Sequence, residues 1–72
     1  MVLSTAGCGK NLRLLNINNA GQALQSRLAA MGMVPGVEFE VITNHSRGPL
    51  VLAVEESRII VGRGMADKVI VS

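Results

Sequence analysis

The chain has 72 residues, enough for one domain that needs a dense core to be stable. Hydrophobic residues make up 49% and charged residues 17%, so we expect a single ordered domain over residues 1–72 rather than a disordered tail. The net charge is only +2, and Phe39 is the one aromatic residue. Neither a strongly basic nucleic-acid surface nor a platform for stacking bases is therefore expected.

The start of the chain carries few structural signals. Residues 1–8 are expected to form a flexible N-terminus, and the single cysteine, Cys8, has no internal partner for a disulfide. The apolar residues before Cys8 lack the charged start and the length of a signal peptide. No apolar run approaches the ~20 residues needed to span a bilayer. These features predict a cytoplasmic protein without direct membrane insertion.

The spacing of apolar residues predicts a strand followed by a helix in the first half of the chain. Alternation predicts a strand over Asn11–Ile17, slightly irregular at Leu15. A helix is predicted over Ala20–Met31. Its apolar residues recur at i, i+4 and i+7, at Leu24, Leu28 and Met31.

Two backbone breaks follow the helix and bound a segment that we call the elbow, residues 31–36. Gly32 stands where a helix often ends in a left-handed residue, and Pro35-Gly36 suits a type II turn. Met33 and Val34 lie between these breaks. Either Met33 fills the core and fastens the helix to the sheet, or part of the elbow stays exposed as a surface for a partner.

The second half of the chain reads as strands separated by short loops. The predicted strands are Val37–Thr43, Leu50–Glu55, Arg58–Gly62 and Val69–Val71. A tight turn is predicted at Glu56-Ser57, and a short helical turn or a loop over residues 63–68. The strand Arg58–Gly62 is apolar on both faces, so we expect it to be central or covered. Five short strands with one early helix would remove their free edges by curling into a small barrel.

Catalytic and nucleotide-binding motifs are weak. The stretch Gly7–Lys10, GCGK, has neither a strand before it nor a Ser or Thr after its lysine, as a phosphate-binding loop requires. His45 is the only histidine, and its neighbour Ser46 is not oriented as a nucleophile by adjacency alone. Glu38 and Glu40 share a strand face that is expected to be solvated. The protein is therefore not expected to be an enzyme.

Metal-binding spacing is also missing. There is no C-x-x-C pair, no H-x-x-x-H pair and no His-carboxylate pair at helical spacing. His45 remains as the candidate ligand, for an adventitious divalent ion. No cofactor is expected.

Two longer stretches resemble a known family. Arg27–Val41, RLAAMGMVPGVEFEV, resembles the helix-to-strand signature of FeoA domains, and the likeness continues through Gly48–Val71, GPLVLAVEESRIIVGRGMADKVIV. The resemblance implies a mainly β (α+β) fold: a small SH3-like antiparallel β-barrel of about five strands with one helix between strands 1 and 2. It implies a non-enzymatic accessory protein of bacterial ferrous iron uptake. Its expected partner is FeoB, a membrane transporter with a cytoplasmic GTP-binding domain.

The expected contact with that transporter is placed at the elbow and the end of the helix. The candidate partner-binding residues are Leu28, Met31, Met33, Val34 and Pro35. The protein would then be cytoplasmic, peripheral to the inner membrane through its partner, with weak homo-oligomerisation as a further option. Two alternatives stay open: a stand-alone version of the SH3-like C-terminal domain of iron-dependent repressors, and a small nucleic-acid-binding barrel.

Overall fold

The computed structural model describes residues 1–17, 21–45 and 47–72. Within these ranges the elements are a 3₁₀ helix (Leu3–Thr5), β1 (Asn11–Ile17), α1 (Gln22–Ala30), β2 (Glu38–Asn44), β3 (Leu50–Val54), β4 (Ser57–Val61), α2 (Arg63–Ala66) and β5 (Val69–Val71). The strands form one antiparallel sheet in the order β4-β3-β2-β1-β5. The predicted helix is confirmed over Gln22–Ala30, while its predicted first residue, Ala20, lies outside the described residues. In the same part of the chain, no helix is long and apolar enough to cross a membrane.

The core follows from the alternation of side chains along the strands. In β1, Leu12 and Leu14 are buried and Arg13 between them is exposed, so one face of the strand turns inward. Buried residues from all the strands meet in a hydrophobic cluster that also includes Leu28 of α1. Each fully buried Leu, Val or Phe side chain stabilises the fold by about 1.5–3 kcal/mol relative to an exposed one. Phe39 is among these buried residues, at 3% exposure.

Two irregularities give the sheet its curvature. The register of β1 against β5 shifts between Leu14 and Asn16, which is a β-bulge. The bulge lies at Leu15, where the sequence predicts that the strand is irregular. The pairing of β2 with β3 shifts between Val41 and Thr43. Because a bulge bends its strand, the sheet wraps around the core, and β1 passes from β2 to β5 along its length. The result is the SH3-like α+β arrangement that the resemblance implies.

Closure of the sheet and the place of β4 differ from the prediction. β4 and β5 are the two ends of the strand order and do not pair with each other, so the barrel is not closed by strand pairing. The prediction that this apolar strand is central or covered is wrong, since Ile60 is 66% exposed. The turn before it lies at Glu55 and Glu56, one residue earlier than predicted. Periodicity indicated a two-sided apolar strand but carries no information on which strands become its neighbours.

The beginning of the chain is also packed rather than flexible. Leu3 is fully buried and Ala6 is 2% exposed, and both belong to the core cluster. Val2 forms an isolated β-bridge with Ile70, and the N–H of Val71 donates to the carbonyl oxygen of Met1 over 2.7 Å. Met1 and Val2 therefore cover the outer edge of β5 while Leu3 and Ala6 fill the core, so residues 1–6 are packed, which corrects that part of the flexible N-terminus predicted for residues 1–8. Cys8 is exposed.

Candidate functional site

The elbow begins with a helix end that is closed by its own backbone. Gly32 has φ +89°, and its N–H donates to the carbonyl oxygen of Ala29 over 3.0 Å. The N–H of Met33 donates to the carbonyl oxygen of Leu28 over 2.8 Å. These two bonds form a Schellman motif, whose apolar contact joins the side chains of Leu28 and Met33, both fully buried. Gly32 therefore ends α1 as the sequence predicts.

The second half of the elbow is a type II turn attached to β1. Gly36 has φ +95°, and the N–H of Val37 donates to the carbonyl oxygen of Val34 over 3.1 Å. Leu14 of β1 is bonded to the turn on both sides: it accepts from the N–H of Gly36 over 2.7 Å and donates to the carbonyl oxygen of Val37 over 2.9 Å. The two bonds to Leu14 thus hold the turn against the sheet, and the bond from Val37 to Val34 closes the turn itself.

The five candidate contact residues separate into buried and accessible groups. Leu28 and Met33 are fully buried, so they support the elbow but offer no side-chain surface to a partner. Met31 is half-buried and packs against the core. Val34 is 43% exposed and Pro35 is also exposed. The elbow therefore both fills the core, through Met33, and presents a surface, through Val34 and Pro35.

A groove of about 330 Å³ lies beside this exposed surface, between the end of β1, one face of α1 and the elbow. Val34 and Pro35 form one wall and Ile17 lies at the end of β1, while Met33 backs the groove without being exposed. The described lining residues carry amide, hydroxyl and apolar side chains and no charge: Asn16, Ile17, Gln22, Gln25, Ser26, Ala29, Met33, Val34 and Pro35. An apolar or uncharged side chain can enter such a groove without losing solvation of a charge.

The sequence did not predict that the residues forming the polar wall of the groove would belong to a contact site. This wall consists of one face of α1, with residues at i, i+3, i+4 and i+7: Gln22, Gln25, Ser26 and Ala29. This spacing was available as a signal, but a polar helix face normally faces water, so only the fold indicates that it borders a groove. α1 fully buries only Leu28, which leaves most of its surface accessible.

His45 does not lie in a metal-binding group. Its side chain is exposed, and its carbonyl oxygen accepts a hydrogen bond from Arg63. Across residues 1–17, 21–45 and 47–72, no three His, Cys, Asp or Glu side chains come together as a group that could hold a metal ion. The adventitious ion at His45 therefore stays a prediction.

The other chemical candidates have structural roles. Glu38 accepts a hydrogen bond from Arg13 over 2.6 Å, in an ion pair whose side chains are 57% and 70% exposed, Arg13 first. Gly9 in the GCGK stretch donates its N–H to the carbonyl oxygen of Val41 over 2.7 Å, so this N–H is not free to bind a phosphate.

Comparison by sequence finds one family model and one relative of this chain. The family model of the FeoA domain matches residues 1–72. Over 53 residues the chain is 38% identical to the Fe(2+) transport protein A of Methanocaldococcus jannaschii, a match that covers 74% of this chain and 63% of that relative. The match therefore spans less than two thirds of the relative's length.

Comparison by structure gives the same architecture. A crystal structure of the iron uptake regulatory protein FeoA superimposes with a TM-score of 0.91 at 32% identity, covering 99% of this chain and 93% of that one. The zinc complex of Stenotrophomonas maltophilia FeoA, described as an SH3 domain protein, has a TM-score of 0.83 at 24% identity, covering 100% and 89%. A manganese-dependent transcriptional repressor has a TM-score of 0.86 at 16% identity, covering 96% of this chain and 39% of the repressor. At these low identities, the last two show the fold alone.

Proposed function

Because this chain belongs to the FeoA family of ferrous iron transport accessory proteins, we propose that it acts without catalysis, by binding the cytoplasmic GTP-binding region of the FeoB transporter. It acts in the cytoplasm and reaches the inner membrane through that partner. The binding site is the uncharged groove beside the elbow, and Val34 and Pro35 make the first contacts.

The observation that carries this proposal is an exposed apolar surface held in a fixed conformation. Val34 is 43% exposed, although the turn that contains it is hydrogen-bonded to both the N–H and the C=O of Leu14 in β1. A preorganised contact surface loses little conformational entropy when a partner binds, which favours association. The adjacent groove can receive an apolar anchor residue from the partner, the arrangement in which most binding energy is concentrated.

The two alternative functions have less support. Phe39 is the only aromatic residue and it is buried, so the protein offers no aromatic ring on which a base could stack. The likeness to a transcriptional repressor, at 16% identity, extends to the fold and not to a function.

A matched pair of helix variants tests the proposed site. Ala29 and Ala30 are adjacent, exposed residues of α1, but only Ala29 lines the groove. Ala29→Arg places a long charged side chain at the groove, and Ala30→Arg adds the same side chain to the same helix end outside it. Binding to the purified GTP-binding region is measured by calorimetry, with GDP and with a non-hydrolysable GTP analogue.

We expect Ala29→Arg to weaken binding by about tenfold or more, equivalent to about 1.4 kcal/mol, and Ala30→Arg to change it by less than about twofold. Circular dichroism confirms that both variants are folded. If wild type shows no binding at high micromolar concentration with either nucleotide, the proposed partner is wrong. Equal losses in the two variants would place the contact elsewhere on the protein.

A further inference from the structure

The two edge strands of the sheet, β4 and β5, differ in whether other residues cover their outer edges. The outer edge of β5 is covered by the first residues, through the Val2–Ile70 bridge and the bond from Val71 to Met1. The outer edge of β4 has no such cover among the described residues. Ser57, Arg58 and Ile60 are exposed there, Ile60 to 66%. β4 therefore presents an open, ordered strand edge.

The hairpin geometry identifies which backbone groups are free. The turn between β3 and β4 has two residues, and Val54 pairs with Ser57 on either side of it. In such hairpins the flanking pair is hydrogen-bonded, and bonded and non-bonded pairs then alternate. Ser57, Ile59 and Val61 therefore bond to β3, whereas the N–H and C=O groups of Arg58 and Ile60 point outward. No hydrogen bond from the described residues reaches these outward groups.

β4 lacks the features that usually prevent a strand edge from pairing. Its register with β3 is continuous from Val54–Ser57 to Leu50–Val61, without a bulge, and it contains no proline or lysine. Arg58 is its one charged residue. Ile60 stands opposite the half-buried Val51 on the outer face, so an apolar strip runs to the open edge. Regular, apolar and uncovered edges are the ones that recruit another strand.

We propose that β4 pairs antiparallel with β4 of a second copy of this chain, about a two-fold axis that passes through Ile59. In this register Arg58 of each copy lies opposite Ile60 of the other. Both outward residues of each strand then form bonded pairs, each with two N–H···O bonds. The pairing joins two curved sheets into one continuous sheet and places the two exposed Ile60 side chains beside the aliphatic stems of Arg58.

A second copy suits this edge better than an unrelated strand because the edge is self-complementary. The outward residues, 58 and 60, are symmetric about Ile59, which is the condition for a closed two-fold contact. The strand has five residues, so it extends only about 17 Å and the contact is smaller than a standard stable interface. We therefore expect a weak dimer, with a dissociation constant of about 10⁻⁴ M. The two Arg58 side chains lie diagonally across the axis, so added salt should strengthen association by screening them.

The test uses backbone amide exchange and sedimentation on the full chain, at about 20 μM and about 1 mM. We expect the Arg58 and Ile60 amides to exchange more slowly at the higher concentration, while the apparent mass rises. Ile60→Lys should abolish both effects. Leu15→Lys, at another exposed apolar position of 49% exposure and away from the edge, should leave them unchanged.

A charge-swap measurement checks the register independently of Ile60. Arg58→Glu alone keeps like charges diagonally across the axis, but in its equimolar mixture with wild type the mixed dimer places Arg58 diagonally across the axis from glutamate, where the two charges attract. The mixture should associate more strongly than either protein alone. A protein that stays monomeric at about 1 mM overturns the proposal, and so does a dimer that Ile60→Lys leaves intact or whose protected amides lie outside β4.

Discussion

Arg63 donates a hydrogen bond from Nη2 to Oδ1 of Asn44 over 2.6 Å, and this pair connects three distant parts of the chain. Nδ2 of Asn44 donates to the carbonyl oxygens of Ser4 and Ala6, over 3.0 and 2.7 Å. Arg63 also donates to the carbonyl oxygens of Gly48, Ser4 and His45. The N-terminal segment, the loop after β2 and the start of α2 are thus held together by two side chains.

Replacing Arg63 should destabilise the protein more than replacing an exposed arginine. Arg63→Met leaves several partly buried oxygen atoms without their donor, so we expect the free energy of unfolding to fall by about 2–3 kcal/mol. Arg13→Met removes only an exposed ion pair and should cost about 0–1 kcal/mol. Urea denaturation of both variants measures the difference. Equal losses would mean that the Arg63 network contributes no more than a surface contact.

The N-terminal segment should contribute to global stability through Leu3. Leu3 is fully buried, so Leu3→Ala should lower the free energy of unfolding by about 2–4 kcal/mol. Ser4→Ala is the matched control: the carbonyl oxygen that Ser4 offers to Asn44 is retained, and the change should stay within about 0.5 kcal/mol. Thermal denaturation followed by circular dichroism compares the two. A Leu3→Ala variant as stable as wild type would restore the flexible N-terminus predicted from sequence.

The helix end at the elbow should depend on the backbone of Gly32 rather than on space around it. A Cβ at Gly32 would lie 3.6 Å from Cγ1 of Val54, an ordinary contact, but φ is +89°. Gly32→Ala should therefore lower the free energy of unfolding by about 1–2 kcal/mol. Gly64→Ala, inside α2 with open space around its Cα, should instead raise it by up to about 1 kcal/mol. We expect urea denaturation to show changes of opposite sign in the free energy of unfolding for the two variants.

The β3–β4 turn contains a residue in an unfavourable conformation. Glu55 has φ 55°, the left-handed region that glycine enters without a Cβ clash. Glu55→Gly should raise the free energy of unfolding by about 0.5–1 kcal/mol, because relief of strain exceeds the added freedom of the unfolded chain. Glu56 is not at positive φ, so Glu56→Gly should lower it by about 0.5–1 kcal/mol. Equilibrium denaturation of the pair would contradict the argument if both changes had the same sign.

Part of the candidate site could be predicted because it depends on neighbouring residues. Gly32 and the Pro35-Gly36 pair set the path of the elbow through their own backbone preferences, and both turns are confirmed. The division between Met33, which is buried, and Val34, which is exposed, was left open by the sequence. It depends on the position of α1 over the sheet, which no local pattern states. The groove wall on α1 was missed for the same reason.

The sequence by itself determined where the five strands and α1 lie and how the elbow turns, because apolar period and backbone preference act within a few residues. Tertiary structure alone decided that β4 is a free edge, that Met1 and Val2 cover β5, and that Arg63 meets Asn44 and Ser4. The contacts among these outcomes join segments separated by 19 to 70 positions in the chain. The bulges in β1 and β2 bend these strands, and no local pattern states which distant segments the curved sheet brings together.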